Sequence, residues 1–411
     1  MINTYAHRPI SYRAANIIGS LAEHIGLEPR IHDQYLLDKA QRLTKLNDFG
    51  DDSFVTGFEL LIQSLREEAK LNTIGKLSAT TYLTQLLCNR LRLEKQYKSA
   101  EKIGQRKISR PIFITGLPRS GTTFLHALLA EDPNTRTPIT WEVMYPAPLD
   151  TNPSSTSDSK KERSKRCAND LKWLDRLAPK FNSIHAVKAQ LPQECIAITT
   201  HDFASIQFHT TYNVPSYQQW LEQRNMVSSY RYHKRFLQHL QNHDGEQQWL
   251  LKAPGHLYDL SDLMKVYPDA QIIQTHRDPV NVIASISSHA NVIRAAFSDE
   301  LDHREIAQDW QRYWKQALSR NLDYRQQNQN QTINDVYYGD LVSDPIGVVK
   351  NLYENLNLNY NEEFESALKK YIDRNPQSRH KYTLQEFGFN KRTIQSAFAD
   401  YYQLHQGLAD I

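Results

Sequence analysis

The chain has 411 residues, 40% hydrophobic, 23% charged and 10% aromatic, which is the make-up of an ordinary water-soluble globular protein and excludes disordered, collagen-like and disulfide-scaffold classes. Lys and Arg number 49 against 46 Asp and Glu, so the net charge of +3 is too balanced to imply nucleic-acid binding. No apolar run approaches the ~18 residues of a bilayer span and MINTYAHRPISYRAANIIGS lacks a signal core, while three separated cysteines (Cys88, Cys167, Cys195) suit a reducing cytoplasmic compartment and offer no zinc spacing.

Residues 1–105 read as helical. In DDSFVTGFELLIQSLREEAK the apolar residues Phe54, Phe58, Leu61, Ile62, Leu65 and Ala69 recur at helical spacing, and KLSATTYLTQLLCNRLRLEK repeats the pattern through Leu83, Leu86, Leu87 and Leu91, with Gly75 predicted as the break between them. From residue 111 the texture changes. PIFITG is a short apolar run ended by glycine, the pattern of a buried parallel strand, and TTFLHALLAED is predicted as a helix stopping before Pro133. The polar stretch DTNPSSTSDSKKERSKR (150–166) is predicted as an exposed loop whose basic run is a solvated surface. Further strands are expected at WLLKAP (249–254), QIIQTHRDP (271–279) and NDVYYGD (334–340), each with helical patterns nearby. The expected fold is therefore α/β: a P-loop-type central parallel sheet flanked by helices over residues 106–411, with an N-terminal helical region over 1–105 packed on it.

GLPRSGTT, residues 116–123, lies directly after a predicted strand and before a predicted helix. Glycines there permit a tight turn, and the amides of a helix N-terminus point at an anion. Against the nucleotide-hydrolase pattern G-x-x-x-x-G-K-[ST], Gly116, Gly121 and Thr123 fit, but Thr122 stands where the lysine belongs. That lysine reaches the β- and γ-phosphates, so an ATPase or GTPase is disfavoured while binding of some phosphorylated group is not. Arg119 supplies a cation from within the loop. In THRDPVNVIASIS, Asp278 is expected to cap a helix opened by Pro279, placing Arg277 at a strand end and Ser285 eight positions later in the helix. An arginine and a hydroxyl so presented make a second phosphate site, although an arginine at a strand end also commonly pairs with a carboxylate.

Taken together, FITGLPRSGTTFLHALL, WLLKAPGH, YPDAQIIQTHRDPVNVIAS and VYYGDLVSDP, spanning 112 to about 345, resemble the sulfotransferases that use 3′-phosphoadenosine-5′-phosphosulfate (PAPS), in particular the bacterial group related to the tyrosylprotein enzymes. SRHKYTLQEFGF near the C-terminus resembles bacterial members too. The resemblance implies that Arg119, Ser120, Gly121, Thr122 and Thr123 hold the 5′-phosphosulfate, with Phe124 near the adenine, and that Arg277 and Ser285 grip the 3′-phosphate. Tyr338 matches a tyrosine that approaches the nucleotide, with Gly339 where the family has a glutamate. Lys252 falls on the family's catalytic lysine. The implied reaction is a metal-independent, in-line transfer of a sulfuryl group to a hydroxyl or amine of a small-molecule or peptide acceptor, with 3′,5′-ADP as product. Its electrostatic component falls to the loop amides, Arg119 and Lys252. The acceptor proton needs a base. Glu142 in TPITWEVMYP is favoured, with His256 in KAPGH second and Glu194 in LPQEC a further candidate. Trp141, Tyr145 and the aromatics of HDFASIQFHTTYNVPSYQQW (201–220) read as core more than as acceptor-stacking groups. The rival readings are an ATP-dependent small-molecule kinase, which the missing lysine disfavours, and a catalytically inactive nucleotide-binding protein. Neither acceptor nor oligomeric state is encoded legibly.

Overall fold

The computed structural model describes residues 10–25, 29–149, 160–177, 188–241, 247–375, 384–406 and 408. The chain forms two compact units, one drawn from Met1–Arg106, Pro138–His243 and His289–Leu301, the other from Lys107–Thr137, Asp244–Ser288 and Asp302–Ile411.

The first unit is helical. Helix Val55–Glu67 buries Phe58, Leu61, Ile62 and Leu65 at the expected spacing. Helix Thr73–Ser99 is capped by the Asn72 side chain, which accepts from the Gly75 N–H at 2.9 Å. Gly75, expected between helices, therefore lies inside the first turn, and the break falls a few residues earlier. A Cβ at Gly75 would stand 2.2 Å from the Phe297 carbonyl oxygen, so close backbone approach is what requires glycine there. The same long helix carries Arg90, which is 1% exposed and meets Asp202 at 3.3 Å. Its guanidinium also donates to the carbonyls of Phe49 and Asp51, both at 2.7 Å, and lies 4.2 Å from the Phe54 ring centroid. Buried charge is tolerated here because each donor has a partner. Phe203, Phe208, Tyr212 and Tyr217 are buried and belong to the core, while Trp220 of the same segment is half-buried. Helix Ile10–His24 behaves unusually. It turns Tyr12 and Asn16 inward, the latter accepting from the Ile74 N–H at 3.0 Å, and leaves Ile17, Ile18 and Leu21 exposed.

The expected loop at 150–166 is corrected in part. Residues 150–159 lie outside those described, but Lys160–Leu177 is a helix. Lys, Arg and Glu are good helix formers, and Cys167 and Leu171, one turn apart, pack on Trp141 and Tyr145. Lys160, Lys161, Lys165 and Arg166 keep the basic run exposed. The same packing makes Trp141 and Tyr145 core residues.

The second unit contains the sheet. Five strands, β1 (Ile112–Gly116), β2 (Thr135–Arg136), β3 (Gln248–Lys252), β4 (Gln271–His276) and β5 (Ile333–Tyr337), lie in the order β2-β3-β1-β4-β5. Every pairing is parallel. The four strands expected from sequence are present, and β2 is an addition too short to show a periodic pattern. β1 is buried along its whole length, as a central strand covered on both faces must be. Ile112, Ile114 and Ile273 join Leu125 and Leu128 of helix Thr122–Leu129 and Leu352 of helix Pro345–Leu356 in one core. Because the strands are parallel, the segments following β1, β3, β4 and β5 all leave from the same edge, where ligands of open α/β sheets bind. No described helix is long and apolar enough to cross a membrane.

Candidate donor-nucleotide site

The turn after β1 is shaped by three left-handed residues, Gly116 (φ +135°), Arg119 (φ +64°) and Gly121 (φ +94°). At Gly116 a Cβ would stand 2.4 Å from the Thr275 carbonyl oxygen, so backbone as well as φ excludes a side chain there; at Gly121 it would stand 2.8 Å from the Leu341 Cδ2 methyl, and φ is what favours glycine. The turn delivers the chain to the N-terminus of helix Thr122–Leu129, whose first-turn N–H groups have no intrahelical acceptor and favour an anion. Ser120 is fully buried and looks inward: its hydroxyl lies 2.5 Å from both the Leu117 carbonyl oxygen and Thr275 Oγ1. Its side chain thus ties the loop to β4. Thr122 is buried and Thr123 exposed, while half-buried Phe124 packs on the core cluster of the sheet.

Residues from four separate segments converge beside this loop. Arg119 Nε donates to Ser285 Oγ at 3.2 Å. Arg277 Nη1 donates to the Arg119 carbonyl oxygen at 2.6 Å, and its guanidinium lies 3.9 Å from the centroid of the Tyr338 ring. The Asp278 carboxylate accepts from the Val280 N–H at 2.9 Å at the start of helix Pro279–Arg294, the expected capping geometry, which carries Ser285. At the end of β3, Lys252 is 2% exposed, and its Nζ lies 3.3 Å from Thr123 Oγ1. Two guanidinium groups and an ammonium therefore gather around one helix N-terminus, an arrangement able to hold two phosphate-like anions and to stabilise negative charge developing between them.

The base candidates are placed differently. His256 belongs to the same unit as Lys252, in the turn Pro254–Leu257; it is 4% exposed and meets the Phe113 ring edge-on at 5.2 Å. Glu142 belongs to the first unit, on the short helix Thr140–Met144, where its carboxylate accepts from the Ile139 N–H at 3.2 Å. Glu194, also in the first unit, precedes helix Cys195–Thr199. On the sheet, Arg136 sets its guanidinium 4.7 Å from the Trp249 ring centroid. A carboxyl that motif reading passed over lies three residues beyond His256: burial pushes Asp259 up to about 8, against the opposing charge of Arg320 at 4.0 Å. Also missed was the set of groups around His276, immediately before Arg277. His276 is fully buried, with its pKa lowered by burial. Its partners come from residues 335 and 401, too distant in sequence for any local motif to include them.

Among the described residues, no three His, Cys, Asp or Glu side chains cluster as a metal site would require. The sequence profile of the sulfotransferase family matches residues 111–362. The omega-hydroxy-beta-dihydromenaquinone-9 sulfotransferase Stf3, of Mycobacterium bovis and of Mycobacterium tuberculosis, is 26% identical over 290 residues, 64% of this chain. That match spans 66% of the relative, just under two thirds of its length. Among solved structures, sulfotransferase STF1 of Mycobacterium tuberculosis is 30% identical with a TM-score of 0.78, over 90% of this chain and 98% of that one. Sulfotransferase STF9 of Mycobacterium avium is 25% identical with a TM-score of 0.80, over 91% and 97%.

Proposed function

The chain belongs to the sulfotransferase family, and on that premise we propose that it moves a sulfuryl group from PAPS to a hydroxyl, or an amine, of a small-molecule acceptor. The acceptor heteroatom attacks sulfur in line, the bond from sulfur to the bridging phosphate oxygen breaks, and 3′,5′-ADP leaves. The loop amides and Lys252 face the 5′-phosphosulfate, where Lys252 donates to the departing oxygen as its charge grows. Arg277 and Ser285 take the 3′-phosphate. Arg119, through its bond to Ser285, extends from the loop toward that second phosphate, so the two anion sites share one cation. Arg119, Arg277 and Lys252 supply the positive charge for which a kinase relies on magnesium and a loop lysine. The acceptor proton passes to Glu142 or His256.

The observation that carries this reading is the junction of loop and strand end: Arg277 bonded to the Arg119 carbonyl, and Arg119 bonded to Ser285. It supports one ligand with two phosphates on opposite sides of Arg119. The test is transfer of radiolabelled sulfur from PAPS to hydroxylated metabolites, with an omega-hydroxylated menaquinone first because a relative acts on one. Transfer in the presence of a magnesium chelator is expected. Phosphoryl transfer from ATP, with no sulfuryl transfer to any acceptor, would overturn it.

A further inference from the structure

Both neighbours of Arg277 are held by one short helix near the C-terminus. Helix Ala399–Leu404 carries two adjacent tyrosines. The Tyr401 hydroxyl meets His276 Nδ1 at 2.7 Å, and the Tyr402 hydroxyl donates to the Asp278 carboxylate. Adjacent helical side chains diverge by about 100°, so the two phenols reach the residues before and after Arg277 and leave the arginine itself between them.

The bonding behind His276 fixes its direction. His276 Nε2 lies 2.8 Å from Asp335 Oδ1, and Asp335 Oδ2 accepts from Arg325 Nη1 at 3.1 Å. Arg325 also donates to Gln274 Oε1 on β4 at 2.9 Å. Burial raises the Asp335 pKa, but hydrogen bonds from His276 and Arg325 outweigh it and hold the group below the usual range, as a carboxylate that only accepts. His276 Nε2 must therefore donate to Asp335, which leaves Nδ1 of the neutral ring to accept the Tyr401 hydroxyl proton. The ring is closed from a further side by His405, 4.0 Å away between centroids, whose Nδ1 lies 3.2 Å from the Tyr337 hydroxyl. Asp278 has a second duty, since the same Oδ1 accepts the Val280 N–H that starts the helix carrying Ser285.

We propose that Tyr401 and Tyr402 are positioning residues for the 3′-phosphate clamp, holding Arg277 and the start of the Ser285 helix so that a nucleotide is recognised by its 3′-phosphate only while this C-terminal helix is docked. This rests on the donor reading above and adds to it a role for residues outside every motif of the sequence.

The test compares 3′,5′-ADP with 5′-AMP by isothermal titration, using the full chain. The affinity ratio is the readout because loss of folded protein alone lowers both affinities together. In Tyr401→Phe/Tyr402→Phe the ratio falls by about tenfold, the size expected for misdirecting one charge-assisted contact, while 5′-AMP binding is unchanged. Should the double variant not fold, Tyr402→Phe, which removes a single half-exposed hydroxyl, is expected to lower the ratio about threefold. A ratio equal to that of the unmodified chain in whichever variant folds overturns the positioning role. If the unmodified chain itself does not prefer 3′,5′-ADP, the donor reading fails first.

Discussion

Lys252 gives the sharpest separation between binding and chemistry. It is the last residue of β3, beside Ile114 of β1, with its ammonium 3.3 Å from Thr123 Oγ1 at the mouth of the loop. At 2% exposure its stem fills core volume. Lys252→Ala would remove about three methylenes and cost roughly 2 kcal/mol in packing alone. Lys252→Met keeps the volume and deletes only the charge. A pre-organised donor aimed at developing negative charge is worth about 3–4 kcal/mol, so Lys252→Met should lower the single-turnover rate by roughly 10²–10³. Because that interaction strengthens in the transition state, affinity for 3′,5′-ADP should stay within about threefold. The assay is rapid-quench transfer of labelled sulfuryl groups at saturating donor, beside calorimetric titration of 3′,5′-ADP. A variant that binds the nucleotide a hundredfold more weakly but turns over normally when saturated would make Lys252 a ground-state ligand and refute the assignment.

Gly121→Ala forces a left-handed alanine and sets its Cβ 2.8 Å from Leu341 Cδ2 and 3.2 Å from Tyr338 Cδ2. A cost of about 1–2 kcal/mol is expected from φ alone, read as a lower melting temperature with weakened 3′,5′-ADP binding; an unperturbed variant would mean that the loop does not need its observed shape. Glu142→Gln and His256→Asn, compared in single turnover, decide the base: the one that loses about 10²–10⁴ in rate is the base, and whichever keeps the full chemical rate is excluded. Burial lowers His201 to about 4 and His233 to about 3, and burial with neighbouring His276 lowers His405 to about 3. These rings stay neutral in the fold, whereas the unfolded chain takes up protons as pH falls through about 6.5. Stability is therefore complete above that pH and declines below it, each histidine contributing about 1.4 kcal/mol per pH unit until its folded value is reached. Thermal melts at pH 7.5 and 5.5 should differ by about 4 kcal/mol, and equal stabilities would contradict the buried, neutral assignment.

The sheet was legible because its strands are short apolar runs ended by glycine, lysine or the His276–Asp278 turn, a pattern that needs no tertiary information. The loop was legible for the same reason: Gly116 and Gly121 are required by backbone geometry at fixed spacing. Misreadings arose where tertiary contact overrides local signal. Gly75 looked like a break but serves the approach of the Phe297 carbonyl. The basic run from Lys160 to Arg166 looked like a loop because it holds no apolar residue, and Cys167 and Leu171, which dock the helix, follow it. In the site, residue type did not reveal direction. The Ser120 hydroxyl binds Leu117 and Thr275 rather than pointing out of the loop, and Arg119 reaches Ser285 as well as lining it. The tyrosines bracketing Arg277 had no sequence signal at all, since more than a hundred residues separate them from their partners.

The donor assignment requires one doubly phosphorylated adenosine to join the loop to Arg277. A crystal structure of the complex with 3′,5′-ADP is the direct measurement. The 5′-phosphate is predicted to lie in the turn between Gly116 and Thr123, with the 3′-phosphate on Arg277 and Ser285. A nucleotide bound at that turn with its 3′-phosphate directed away from both residues, or bound elsewhere on the chain, would contradict it.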